Sequence, residues 1–173
     1  PGVYSVTESI VIPYKGVVVK GCYGNEGIAD KWREDTNNGV VLRNLTKNET
    51  TVSIQASNVT LQGLNIEGPR EINYDDVKKN GHGVHVYDNE FGVVISGCHV
   101  IGKTKQNLER RLTDAVQGVD TAGNIGIKIE EQAGCALERC VVHSFSLTGI
   151  YVGKRSDVMV TDCWIKECQE NGV

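Results

Sequence analysis

A chain of 173 residues that is 39% hydrophobic and 23% charged has the composition of one globular domain and not of a disordered segment. Its net charge of −4, with lysine and arginine scattered, excludes the basic stripe that nucleic acid or an anionic membrane surface would need. No apolar run approaches the roughly 18 residues of a membrane span.

From the N-terminus, Val17, Val19 and Cys22 open a pattern of apolar-x-apolar segments. A fuller copy follows in Val52, Ile54, Val59, Leu61, Leu64 and Ile66, and another in Val84, Val86, Val93, Ile95, Cys98 and Val100. The next copy, Ile127, Ile129, Cys135, Leu137, Cys140 and Val142, has the same internal spacing as Ile150, Val152, Val158, Val160, Cys163 and Ile165, offset by 23 residues. A further copy begins at Gly172, and the chain opens at Pro1 without Met, so we expect a piece of something longer.

A fixed period of this length marks a repeat architecture. Within each copy the alternation has period two, which places one face of a short strand inward, and no helical stretch separates the segments. Three such strands per copy, with copies stacked about 4.8 Å apart, predict an all-β fold, a right-handed parallel β-helix with a minimal repeat of 22–23 residues. Residues 1–173 form one domain of this kind. The Leu-x-x-Leu-x-Leu scaffold of leucine-rich repeats is absent.

Cys98, Cys140 and Cys163 fall in one column, above Leu64 and Cys22. Side chains stacked in register point in parallel about 4.8 Å apart, beyond the Cβ separation of roughly 3.5–4.5 Å that a disulfide prefers. The six cysteines therefore read as buried thiols filling a narrow core, which favours folding in a cytosol. The gaps from Cys135 to Cys140 and from Cys163 to Cys168 do not fit zinc-site spacing, and no metal is expected from them.

If the Gly-Ile segment is the first strand of each rung, the turn leading into it is short before Gly149, with HSFSLT, and swells at 67–82 and 101–125. The second insertion contains LERRLTDAV, which reads as one or two amphipathic helical turns. Insertions gathered on one edge mark the binding face of a repeat fold. Beside them, the outward positions of the first strands are Ser53, Gln55, His85, Tyr87, Lys128, Glu130 and Tyr151. Rings next to hydrogen-bonding and charged groups suit a sugar chain, since aromatic faces cover the apolar face of a pyranose while polar groups meet its hydroxyls. His99 and His143 read as surface or turn positions.

The opening PGVYSVTESIVIPYKGVVVKGCYG and the NVTLQGLNIEG of 58–68 resemble the N-terminal rungs of the pectate-lyase-like superfamily, which includes pectate lyases, polygalacturonases and bacteriophage tailspikes. The resemblance implies a capping first turn at 1–22 and a polysaccharide partner. Polygalacturonases carry Asn-Thr-Asp, Asp-Asp, Gly-His-Gly and Arg-Ile-Lys, to which NYDD at 73–76, GHG at 81–83 and GIKI at 126–129 are similar. Two departures stand out: Asp75 and Asp76 lie in a loop just before His82, and Glu130 occupies a place where a basic residue belongs.

A hydrolase would set Asp75 or Asp76 against Glu130 at roughly 6.5–9.5 Å with water between them. A lyase would use Lys128 with Arg110 and Arg111, and Ca²⁺ held by carboxylates such as Asp114 and Asp120 to neutralise a uronate. His82, His85, Tyr87, Tyr151, Arg110 and Arg111 are the expected substrate-binding residues. The resemblance leads us to expect part of a tailspike-type receptor-binding protein, a homotrimer of the virion tail folded in a host cytosol, that binds a bacterial surface polysaccharide, with its depolymerisation left open. A secreted, extracellular lyase or hydrolase acting on acidic glycans and a non-catalytic structural β-helix are the alternatives.

Overall fold

The computed structural model describes residues 2–21, 40–45, 49–69, 81–102, 125–145 and 147–168. Every regular element among these residues is a strand, and most are short segments carrying Val or Ile, too short for a stable helix but well suited to a pleated surface. In chain order the strands are β1 (Gly2–Val6), β2 (Ile10–Ile12), β3 (Val18–Lys20) and β4 (Val40–Asn44). Next come β5 (Val52–Ile54), β6 (Thr60–Gln62), β7 (Asn65–Glu67) and β8 (Val84–Val86). The third group is β9 (Val93–Ser96), β10 (His99–Ile101), β11 (Ile125–Ile129) and β12 (Gly134–Glu138). The last are β13 (Val141–His143), β14 (Thr148–Val152), β15 (Asp157–Thr161) and β16 (Trp164–Lys166).

Each strand pairs in parallel with the strand three places on, giving three sheets: sheet I (β1-β4-β7-β10-β13-β16), sheet II (β2-β5-β8-β11-β14) and sheet III (β3-β6-β9-β12-β15). This is the right-handed parallel β-helix with three strands per rung, the hand that parallel crossover connections adopt. The register follows the sequence columns. Val52, Val84, Ile127 and Ile150 lie side by side in sheet II, as do Ile54, Val86, Ile129 and Val152. Leu61, Ile95, Leu137 and Val160 line sheet III, while Ile66, Val100, Val142 and Ile165 line sheet I. These columns supply most of one continuous buried core.

Sheet I contributes more than the sequence pattern indicated. β1 and β4 pair as its first two strands, and between β3 of sheet III and β4 residues 22–39 lie outside the described residues. The 67–82 and 101–125 connections both join sheet I to sheet II, and most of each lies outside the described residues, as does the expected helical LERRLTDAV.

Two details explain how the rungs stay in step while the sequence drifts. At the bend from sheet III to sheet I, Gly63, Gly97, Arg139 and Asp162 all adopt positive φ, between 50° and 64°. Their amides reach the next rung in the same way, Gly63 to Ser96 O, Gly97 to Glu138 O and Arg139 to Thr161 O. What repeats there is a backbone bend that glycine adopts freely and Arg and Asp adopt at a cost of roughly 1 kcal/mol or more. Beside it runs the cysteine column: His99 N bonds to Leu64 O, Val141 N to Cys98 O and Trp164 N to Cys140 O, which sets Leu64, Cys98, Cys140 and Cys163 in successive rungs. All five described cysteines are free, and the thiols of Cys98, Cys140, Cys163 and Cys168 donate to carbonyls, as Cys140 Sγ does to Ile95 O at 3.2 Å.

Candidate functional site

The outer face of sheet II is built by the strand alternation that buries its inner face. Ser53, His85, Lys128 and Tyr151 stand opposite one another across β5, β8, β11 and β14. A second outward column follows at the strand ends, where Tyr87 N bonds to Ile54 O, Glu130 N to Val86 O and Gly153 N to Ile129 O. It carries Gln55, Tyr87, Glu130 and then Gly153, so beside Glu130 the face has no side chain and Tyr151 stands clear.

Four of these side chains form one cluster across two rungs. The His85 ring stacks on Tyr87 with centroids 4.1 Å apart and planes 23° off parallel. Lys128 Nζ donates to Glu130 Oε1 at 2.9 Å. His85 Nε2 approaches the same oxygen to 2.8 Å. That approach is close but lies off the direction of a ring N–H, so Nε2 has no aligned hydrogen bond and the contact is an electrostatic one.

Burial lowers the His85 pKa below the ordinary value, and the Lys128 ammonium lowers it further against the opposing pull of Glu130. The imidazole is therefore neutral near pH 7. For Glu130, partial burial acts upward, but the hydrogen bond from Lys128, the charge that His85 carries once protonated at low pH and the Lys128 ammonium outweigh it and bring the pKa down. Glu130 is a held carboxylate, able to accept hydrogen bonds or take a proton from a strong acid, and poorly suited to donating one.

Exposure differs sharply along the row. Tyr151 is 46% exposed, whereas His85 is 5% exposed and Ser53 is buried with its hydroxyl 2.8 Å from that of Ser9. His82 is fully buried and meets His85 edge-on at 5.5 Å, which makes it a support for the His85 ring. Lys128, Glu130 and Tyr87 are intermediate. The structure thus brings together His82, His85, Tyr87, Lys128 and Glu130, with Tyr151 one rung further on. Asp75, Asp76, Arg110 and Arg111, together with Asp114 and Asp120, lie outside the described residues. Among the described residues, no three His, Cys, Asp or Glu side chains converge as a metal site.

Two polar clusters escaped the sequence reading. At the corner from sheet I to sheet II, Arg43 grips Glu67 through both carboxylate oxygens, Nε to Oε2 at 3.0 Å and Nη2 to Oε1 at 3.2 Å. Beside it, Thr51 Oγ1 donates to Glu67 O at 2.6 Å and accepts from Asn44 Nδ2 at 3.0 Å. On sheet I, His99 and His143 meet with Nε2 atoms 2.7 Å apart. The available signal was their position flanking Val100 and Val142, which turns both rings outward on neighbouring strands.

Comparison with protein-family models, with curated proteins and with solved structures returns no match for this chain.

Proposed function

We propose that sheet II binds a polysaccharide, and that the chain is the β-helical part of a tailspike-type receptor-binding protein of the pectate-lyase-like kind. The observation that carries this reading is the cluster of His85, Tyr87, Lys128 and Glu130 on two adjacent rungs, continued by the exposed ring of Tyr151. Stacked rungs present side chains at a constant rise, which suits a polymer whose own units repeat. Tyr151 offers a ring face to a pyranose, and Lys128 and Glu130 offer a donor and an acceptor to its hydroxyls.

Free thiols in every described cysteine support folding in a reducing compartment and favour the tailspike over a secreted enzyme. The lowered pKa of Glu130 suits an acceptor for sugar hydroxyls, and in a hydrolytic pair it suits the base and not the acid. A capsular or lipopolysaccharide glycan is the substrate class this reading names, and a trimer its assembly.

The test is a panel of bacterial capsular, lipopolysaccharide and plant acidic glycans. Binding, new reducing ends and absorbance at the unsaturated-uronate band are followed together, with mass in solution from sedimentation. Binding to a bacterial glycan by a trimer supports the proposal. Cleavage of plant acidic glycans by a monomer replaces it with the secreted enzyme, and silence on every glycan leaves a structural β-helix.

A further inference from the structure

The outer face of sheet I carries a second group of side chains, independent of the sheet II reading. His99 on β10 and His143 on β13 sit on paired strands, with Val141 opposite His99 and Ile101 opposite His143, so the two imidazoles are diagonal neighbours on one face. They lean together until their Nε2 atoms are 2.7 Å apart, with ring centroids at 4.9 Å and planes tilted by 30°. On its other side, His143 Nδ1 is 2.8 Å from Ser144 Oγ, and that hydroxyl donates to Glu167 Oε2 at 3.0 Å.

The protons in this chain follow by elimination. Ser144 has one hydroxyl proton and gives it to Glu167, so Oγ accepts from His143 Nδ1–H. Neutral His143 then has a lone pair on Nε2, which receives the Nε2–H of His99. A histidine whose Nδ1–H is directed through a hydroxyl to a carboxylate while its Nε2 lone pair faces a second imidazole has the outer-shell support typical of a metal ligand.

We propose that His99 and His143 form a binding site for a late first-row divalent transition-metal ion, of which zinc is the representative. Imidazole nitrogen suits zinc, nickel and copper and does not suit magnesium or calcium, which require oxygen. Two nitrogens each about 2.0–2.1 Å from a tetrahedral ion stand about 3.3 Å apart, so the Nε2 atoms need to separate by about 0.6 Å from their present contact and both rings to turn until their lone pairs meet at the ion. On binding, each Nε2 lone pair forms a bond to the ion. The proton on His99 Nε2 passes through solvent to Nδ1, and His143 keeps its Nδ1 proton on Ser144, so no net proton is lost. Among the described residues no third His, Cys, Asp or Glu joins the pair, so water or an exogenous ligand fills the remaining positions. Lys166 lies near the rings and opposes a cation, but its Nζ is drawn to Glu167 Oε1 at 3.6 Å and over the Trp164 ring at 5.5 Å.

The experiment uses untagged protein stripped with chelator and titrated with zinc chloride by calorimetry, while imidazole resonances are followed by NMR. We expect one ion per chain, shifts in both His99 and His143 signals, and no response to magnesium. His99→Ala and His143→Ala each abolish uptake. Glu167→Gln, at a side chain 62% exposed and so harmless to folding, weakens zinc binding about 10-fold or more. Absence of zinc uptake, or uptake that persists in both alanine variants, overturns the proposal. If those variants fail to fold, unmoved His99 and His143 resonances in the wild-type protein overturn it equally.

Discussion

Phe145→Ala is the perturbation that probes the packing account most sharply. Phe145 lies between β13 and β14, at the corner from sheet I to sheet II, and is fully buried. Its ring fills space that three glycines leave open: a Cβ on Gly83, Gly102 or Gly126 would stand 3.4, 3.0 and 3.0 Å from it. Truncation removes a whole aromatic ring from a site whose walls are backbone and cannot collapse far, so the cost falls in the range of about 3–5 kcal/mol. For a domain of this size each kcal/mol lowers Tm by roughly 2–4 °C, which gives a loss of roughly 6–20 °C. Thermal unfolding followed by circular dichroism measures it, with Phe91→Ala as the matched control. Phe91 is 53% exposed, and its loss should cost under about 1 kcal/mol. Equal Tm losses for the two variants, or a Phe145→Ala cost below about 1 kcal/mol, would refute the reasoning.

Arg43→Gln leaves the Glu67 carboxylate without its bidentate partner in a mostly buried corner and should cost roughly 2–3 kcal/mol in urea unfolding, part of which a second change, Glu67→Gln, restores. Because the folded pKa values of His85, His99 and His143 are all lowered, the unfolded chain takes up those protons first; stability is full above pH 6.5 and declines as pH falls below it, and His85→Asn should make that part of the profile shallower. A profile equally steep in the variant would show that His85 is not among the groups responsible. Hydrogen bonding from Cys140 lowers the Cys163 pKa, while burial raises Cys98 to about 11 and Cys135 to about 12. Iodoacetamide at pH 7.5 should therefore label Cys163 well before either of them in the folded protein, as read by peptide mass spectrometry; comparable labelling of Cys98 would contradict this.

The inward columns were legible because a stacked solenoid imposes the same two-residue alternation at the same offset in every rung, and Ile127, Leu137 and Val142 have no freedom to depart from it. β1, β2 and β4 were harder to see: Tyr4 stands in the register of Leu42, and Ile10–Ile12 is a bare three-residue strand, so neither repeats a column visibly. Phe145 was hidden in a polar turn, HSFSLT, whose pattern gives no hint that one side chain turns back into the core. The sheet II row was readable as a face, since Lys128 and Glu130 are two apart on one strand, but alternation says nothing of how far a ring leans along it. That is why the stacking of His85 on Tyr87 and the meeting of His99 with His143 emerged only with the fold. Asp75, Asp76, Arg110 and Arg111 belong to long connections with no register to constrain them, and sequence spacing carries no distance from them to Glu130.

The central claim is that sheet II is a glycan-binding face, and the most direct measurement compares affinities on the best-binding bacterial glycan. Calorimetry of the wild-type protein, Tyr151→Ala, Lys128→Ala and Glu130→Gln should show a loss of about 10-fold for Tyr151→Ala, equivalent to about 1.4 kcal/mol, and smaller but clear losses for the other two. Unchanged affinity in all three variants, with Tm values like that of the wild type, would contradict the account and place the binding elsewhere on the molecule.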